Sequence, residues 1–334
     1  MKIKCGVVGL GIGAMHLRSL SQNPEAEITA IADLDEARRE KYAAEYGARP
    51  YPDWRSMLEG EDELDAVILA TPAVVRREPI EAICARKLAL FCEKPPAINL
   101  EEGAIVSNII EDAGILNTVG FMYRWSPLAL RMRELIHESP KLFARGIVAW
   151  PVLGWVYDGH APKSLLTKSA SGGPLIDQAI HYQDVLRYIT GDEPVGVQAF
   201  GTLGEIYPQQ DRDSDETTAY ILQHQSGMLS THIQNWSHAG TILELQIVGK
   251  DYDLTWNLND GPMTLTGTYQ GESVEETSSH SCYVEEMKGF IDAVRHNDQG
   301  RLRSSYRDAC QSMNVCLSTV RAVETGVNQP IGLV

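Results

Sequence analysis

From the first residue to about residue 120, short apolar runs rich in β-branched side chains alternate with amphipathic stretches. The runs KCGVVGL, EITAIAD, DAVILAT, LALFCE and ILNTVGF predict strands; DEARREKYAAEYG, which ends in Gly47, and PIEAICARKL predict helices between them. Strands separated by helices imply parallel βαβ units with right-handed crossovers, hence a doubly wound sheet. The pattern changes after Trp125. SPLALRMRELIHE predicts a helix, FARGIVAW a strand, and residues 151–173 an irregular loop of a length that is usually functional or mobile. LIDQAIHYQDVLRYITG predicts one helix closing at Gly191, and consecutive strands follow. TTAYILQH and MLSTHIQNW meet across Gln225, Ser226 and Gly227 as a hairpin, and TILELQIVG and YDLTWNL continue the run. Two helices, YVEEMKGFIDAVRHN and SYRDACQSMNVCLSTVRAVETG, end the chain.

The expected fold is therefore α/β: a doubly wound parallel sheet over residues 1–121, then an α+β domain with a large, open, mainly antiparallel sheet over 122–334. In that second sheet Leu243, Leu245 and Ile247 share one face against Ile242, Glu244, Gln246 and Val248, and Met228, His232 and Trp236 oppose Leu229 and Ile233. Neither face is purely polar, so one is expected to be covered by helices and the other by another subunit.

Composition narrows the function classes. The chain has 334 residues, 43% hydrophobic and 22% charged, which suits a globular protein large enough for two domains. A formal net charge of -16 argues against nucleic acid or an anionic membrane as partner, since phosphates are met with clustered Lys and Arg. The 6 cysteines lie scattered, with no C-x-x-C and no His pair at ligand spacing, which predicts a reduced, metal-free, cytoplasmic protein. MKIKCGVVGLGIGAM imitates a signal peptide, but it is dense in glycine and runs into His16 and Arg18 without a small-residue cleavage site. No window reaches the roughly 18 apolar residues of a membrane span.

VVGLGIGAMHL packs Gly9, Gly11 and Gly13 into five positions directly after a strand. Strand, glycines and helix in that order are the context of a dinucleotide fingerprint, where glycine permits the turn and lets backbone approach a pyrophosphate. Gly9 and Gly11 fill the first two places of G-x-G-x-x-G. The third is either Ala14, an accepted variant, or Gly13 in a loop one residue shorter, with His16 beyond it. Gly9, Gly11, Ile12 and Gly13 are the expected pyrophosphate contacts. EITAIAD ends in Asp33, 24 positions after Gly9, near the spacing at which a carboxylate accepts hydrogen bonds from the adenosine ribose; Asp35 caps the next helix. An acid at position 33 repels a 2′-phosphate and Leu34 offers no Arg to bind one, so NAD is expected over NADP.

FCEKPP places Glu93 and Lys94 at the carboxyl end of a strand, where ligands lie in open α/β sheets, and Pro95 and Pro96 stiffen the turn. A cation there can reach both a cofactor ribose and a substrate hydroxyl; a solvated surface lysine is the alternative. On the helix from Leu175, Asp177, His181, Asp184 and Tyr188 fall within roughly 60° of one another at 100° per residue. Oxidising an alcohol needs a base for the hydroxyl proton, and histidine titrates in the right range. A solvent-facing polar stripe is the competing reading.

GLGIGAMH (9–16), ATP (70–72), EKP (93–95) and SGGPLIDQAIHYQDVLRYITG (171–191), in that order, resemble the Gfo/Idh/MocA family, the glucose-fructose oxidoreductase and inositol dehydrogenase group, over essentially the whole chain. The resemblance implies a Rossmann domain and an NAD-dependent dehydrogenase acting on a secondary hydroxyl of a sugar, sugar acid or cyclitol. Its implied catalytic set is Lys94, which orients the hydroxyl and favours its alkoxide character, His181, which accepts the proton, and Asp177, which binds substrate hydroxyls and positions the imidazole. Asp184 stands behind them at most. Thr71 and Pro72 would line the cofactor groove together with Glu93 and Lys94, and a homodimer or homotetramer would form through the second sheet. Tyr123, Trp155 and His160 are weaker substrate candidates; Trp155 and Tyr157 can stack on a sugar face, and His160 is a spare base.

Two departures stand out. The T-P-N-x-x-H of many relatives reads here with Ala73 and Arg76, and a G-G-G before the catalytic helix is reduced to Gly172 and Gly173. Two other functions share this fold: a cofactor-sensing regulator without chemistry, and an NAD-assisted enzyme that oxidises and re-reduces its own substrate.

Overall fold

The computed structural model describes residues 1–258 and 261–334. Its first sheet is built as the alternating pattern requires. The elements are β1 (Ile3–Val8), α1 (Gly13–Ser21), β2 (Ala26–Ala32), α2 (Glu36–Tyr46), β3 (Arg49–Tyr51), α3 (Trp54–Gly60), β4 (Ala66–Leu69), α4 (Arg77–Ala85), β5 (Ala89–Cys92), α5 (Leu100–Ala113) and β6 (Asn117–Val119). Strand order is β3-β2-β1-β4-β5-β6, every pair parallel. β4 and β5 are buried along their whole length, which is why they read as unbroken apolar runs. Asp35 caps α2 by accepting the Arg38 N–H at 2.9 Å, and Gly47 ends it at φ +67°. β3, three residues long, is too short to show a period.

The second sheet follows α6 (Pro127–Ile136) and begins with β7 (Lys141–Ala149). After α7 (Val152–Tyr157), α8 (Lys168–Ser171) and α9 (Ile180–Thr190) come β8 (Pro194–Thr202), β9 (Thr217–His224), β10 (Leu229–Asn235), β11 (Ile242–Gly249), β12 (Tyr252–Asn257), β13 (Met263–Tyr269) and β14 (Glu272–Ser278). Then follow α10 (Cys282–His296), α11 (Tyr306–Thr325) and the short β15 (Gln329–Pro330). The order is β14-β13-β12-β11-β7-β10-β9-β8-β15, antiparallel except where β7 meets β10. The β9–β10 hairpin turns across residues 225–228, and Leu229 pairs with Gln223.

Two sequence expectations need correcting. Residues 151–173 are not irregular throughout: Val152, Leu153 and Val156 bury one face of α7 against Leu166 and Trp236. Six residues are too few for a period to emerge from the sequence. The helix expected from Leu175 opens instead with a π-helical turn over Leu175–Ala179 before α9. A wider turn carries more residues, so the 100° step does not hold across Asp177.

By packing, the chain divides into one unit of Met1–Trp125 with Ser281–Cys310 and another of Ser126–His280 with Gln311–Val334. A single break after residue 121 leaves α10 with the second domain, but α10 buries Met287, Phe290 and Ile291 in the same cluster as Val7, Ile68 and Phe91 of the first sheet. An apolar stripe announces that a helix packs without saying against what. No helix among the described residues is long and apolar enough to cross a membrane.

Candidate functional site

The glycine loop leaves β1 at Gly9, whose φ is +86° and where an added Cβ would lie 2.8 Å from the Ala70 carbonyl oxygen. Only glycine fits there. At Gly11 a Cβ would meet nothing within 4 Å, so that face of the loop is open to a ligand. α1 starts at Gly13, where the Cβ position is 3.4 Å from both Ala70 Cβ and Val7 Cγ1. Close helix-on-strand packing, the duty of the third fingerprint glycine, thus falls to Gly13 and not to Ala14. Ile12 precedes the helix, 40% exposed; no side chain caps α1, and its first turn holds no acid. The positive end of the helix dipole is left to an anion, which fits a dinucleotide pyrophosphate.

Asp33, at the end of β2, accepts the Leu10 N–H at 2.6 Å and the Asp35 N–H at 2.8 Å, which ties the second strand to the glycine loop. Leu34 offers no guanidinium, but the first turn of α2 returns Arg38 to 3.5 Å from the Asp33 carboxylate and lets Arg39 donate to the Asp33 carbonyl at 2.9 Å. Capping by Asp35 was the available signal, because it fixes where residue 38 falls. Thr71 and Pro72 follow β4 after Ala70, and the Thr71 carbonyl accepts from Arg76 Nε at 2.7 Å.

Glu93, expected among the cofactor contacts, is 4% exposed with both carboxylate oxygens committed within the protein. Oε1 is 2.6 Å from Nε2 of the fully buried His16, and Oε2 accepts the Lys94 N–H at 3.0 Å. Burial alone would raise its pKa. The His16 hydrogen bond and the charges of His16, Lys94 and Arg76 overcome that and hold it at about 2. His16 in turn sits edge-on to Phe91 at 4.8 Å. Lys94 is half-buried at the start of the turn, where its peptide bond to Pro95 is cis. Sequence reasoning placed His16 only as a possible fingerprint residue; its pairing with an acid 77 positions away carries no local signal.

In the second unit, Asp177, His181 and Tyr188 are half-buried, whereas the other residues from Gly173 to Thr190 are buried. The opposite side is bound to the sheet. Gln178 Oε1 accepts from Trp236 Nε1 at 2.8 Å and Gln234 Nε2 at 2.6 Å, and Gln183 donates to the Tyr220 hydroxyl at 2.6 Å. Those bonds turn Asp177 and His181 away from the sheet. Asp184 leaves the expected polar face: it is 1% exposed and accepts from Ser312 of α11 at 2.7 Å, and Arg187 donates to the same hydroxyl at 2.6 Å. Gly172, at φ +80°, enters the π-helical turn where a Cβ would lie 2.5 Å from Ile176 Cβ. Tyr123 is half-buried in a short 3₁₀ turn, Met122–Trp125. Trp155 is 38% exposed and packs edge-on to Trp150, Tyr157 stacks on Tyr207 with centroids 5.3 Å apart, and His160 is exposed at the end of α7. Among the described residues no three His, Cys, Asp or Glu side chains are grouped to hold a metal.

Residues 3–121 match the model of an oxidoreductase family with an NAD-binding Rossmann fold, and residues 144–254 match the GFO/IDH/MocA C-terminal domain. The chain therefore belongs to the Gfo/Idh/MocA oxidoreductases and carries their NAD-binding Rossmann fold. It is 26% identical over 306 residues to a scyllo-inositol 2-dehydrogenase (NAD(+)) of Bacillus subtilis (strain 168), covering 88% of this chain and 87% of that one. Its fold matches scyllo-inositol dehydrogenase from Lactobacillus casei with bound NAD(H) and scyllo-inositol, with a TM-score of 0.84, 22% identity and 99% of each chain covered. It also matches levoglucosan dehydrogenase in complex with NADH, with a TM-score of 0.87, 20% identity and 100% of each chain covered.

Proposed function

We propose that this protein oxidises a secondary hydroxyl of a sugar, sugar acid or cyclitol as an NAD-dependent dehydrogenase, with Lys94, Asp177 and His181 as the reacting groups. Residues 1–121, with α10 packed on their sheet, hold the cofactor, and the rest of 122–334 carries the substrate-binding helix and the assembly surface. NAD, when bound along the glycine loop, supplies the hydride acceptor. Lys94 donates to the substrate hydroxyl and stabilises its alkoxide, His181 takes the proton, and Asp177 binds neighbouring hydroxyls and orients the imidazole. The observation that carries this reading is the exposure pattern of residues 173–190, in which Asp177 and His181 reach solvent while the helix around them is pinned to the sheet. A solvated stripe would have kept Asp184 on the same face. Tyr123, Trp155 and His160 contribute to substrate choice at most.

The assembly is a homodimer or homotetramer through the outer face of the second sheet. Phe143, Ile221, Leu229 and Ile233, on adjacent strands β7, β9 and β10, are 44–50% exposed, whereas Leu243, Leu245, Ile247, His232 and Trp236 are buried on the other face. All 6 cysteines are unpaired and buried, which suits a reducing cytoplasm. Incubation with NAD and a panel of myo-inositol, scyllo-inositol, glucose, xylose and levoglucosan tests the activity by absorbance of released NADH. Turnover of at least one, lost in Lys94→Ala and His181→Ala with NAD binding retained, supports the reading; turnover unchanged in both variants refutes it.

A further inference from the structure

Arg76 stands where the resembled pattern has histidine, between a 3₁₀ turn (Ala73–Val75) and α4, and it is 4% exposed although Val74 and Val75 beside it are 70% and 56% exposed. Its guanidinium reaches under the strand ends. Nε donates to the Thr71 carbonyl at 2.7 Å, Nη1 donates to the carbonyls of Glu93 and Pro95, and Nη2 lies 3.5 Å from the Lys94 carbonyl. Nη1 is also 3.8 Å from Cys92 Sγ. The next carbonyl, that of Pro96, accepts from the buried Tyr306 hydroxyl at 2.6 Å.

We propose that Arg76 is a positioning residue for Lys94: it joins the Thr71–Pro72 turn to the Glu93–Pro96 turn through four main-chain carbonyls and so fixes where the lysine ammonium stands. The inference rests on the catalytic role proposed for Lys94. A planar fork of five donors can bridge carbonyls from two separate turns. A neutral imidazole has one N–H, and the three N–H donors of an ammonium leave a single nitrogen, so neither histidine nor lysine at position 76 spans the same set. The turn matters because the carbonyls after Glu93 lie beyond the end of β5 and outside the sheet ladder. Side chains, chiefly Arg76, replace the ladder there. Positioning errors of about 1 Å at a reacting group cost on the order of 100-fold in rate.

Arg76→Gln and Arg76→Ala test this in the intact chain. In Arg76→Gln without cofactor, hydrogen exchange of the peptide spanning Leu90–Ile98 is expected to speed up by at least tenfold while peptides of the second sheet are unchanged. With NAD and the best-turned-over polyol of the panel above, kcat is expected to fall about 100-fold, by a larger factor than KM for NAD rises. Guanidinium ion at tens of millimolar is expected to restore Arg76→Ala by at least tenfold and Lys94→Ala not at all. Unchanged exchange of the turn, kcat within threefold of wild type, or no recovery with guanidinium would each overturn the proposal. Arg76→Lys carries the test if the neutral variants do not fold: a fall in kcat at an unchanged unfolding temperature supports the clamp, and wild-type kcat overturns it. Lys94→Ala separates this inference from the reading beneath it, since turnover retained in that variant refutes the lysine's role whatever Arg76 does.

Discussion

Replacing Glu93 by Gln keeps the size of the side chain and removes the charge that His16 faces. The carboxyl is held at about 2 against an ordinary 4.5, which contributes about 3 kcal/mol of stability at neutral pH. Solvent screens the pair little, because the Glu93 side chain is 5% exposed and that of His16 is 0% exposed. The sign follows from a depressed carboxylate: the unfolded chain binds the proton first, so the contribution is complete above about pH 4.5 and disappears as pH falls toward 2. About 2 kcal/mol of it is gone at pH 3. Glu93→Gln should therefore unfold about 3 kcal/mol more easily than wild type at pH 7, a drop of roughly 6–12 °C in Tm for a unit of this size, and the gap should narrow to about 1 kcal/mol at pH 3. Urea titration at the two pH values, followed by Trp fluorescence, measures both. A penalty below about 1 kcal/mol at pH 7, or one that is the same at both pH values, would refute the coupling of Glu93 to His16.

Other perturbations test separate parts of the account. Gly9→Ala places a Cβ 2.8 Å from a main-chain oxygen at φ +86°, and NAD affinity by calorimetry should fall at least tenfold; unchanged affinity would contradict the loop geometry. Asp33→Asn keeps an acceptor for the Leu10 N–H but removes the charge that repels a 2′-phosphate, leaving Arg38 nearby. The ratio of kcat/KM for NADP to that for NAD should rise at least tenfold, and a constant ratio would exclude Asp33 from cofactor choice. Leu229→Asp puts a charge in the exposed apolar face and should give a monomer by light scattering in place of the proposed homodimer or homotetramer, with the far-UV spectrum kept; an unshifted mass would place the interface elsewhere.

Much of the fold was legible because its signals are local and periodic. Unbroken apolar runs marked the buried parallel strands, and alternation separated Leu243, Leu245 and Ile247 from their outward neighbours. Gly9 and Asp33 were legible for the same reason: a strand end followed by a special backbone position or a carboxylate is visible in a few residues. What stayed hidden depends on distant partners. The His16–Glu93 pair joins residues 77 positions apart, and α10 reaches the first sheet from the far side of the chain. Asp184 shared a helical face with His181 by arithmetic, yet Ser312 of α11 gave it a buried partner, and the π turn over Leu175–Ala179 changed the phase of Asp177. Arg76 read as a departure from a pattern; only the fold shows that its guanidinium replaces main-chain partners for the lysine turn.

The most direct test is a steady-state assay of NADH release from NAD and the polyol panel, run side by side on wild type, Lys94→Ala and His181→Ala, with NAD binding measured on each. Wild-type turnover of at least one polyol, lowered by at least 100-fold in each variant while NAD affinity stays within threefold, is the predicted result. Turnover in both variants equal to wild type would contradict the assignment of Lys94 and His181 to the reaction.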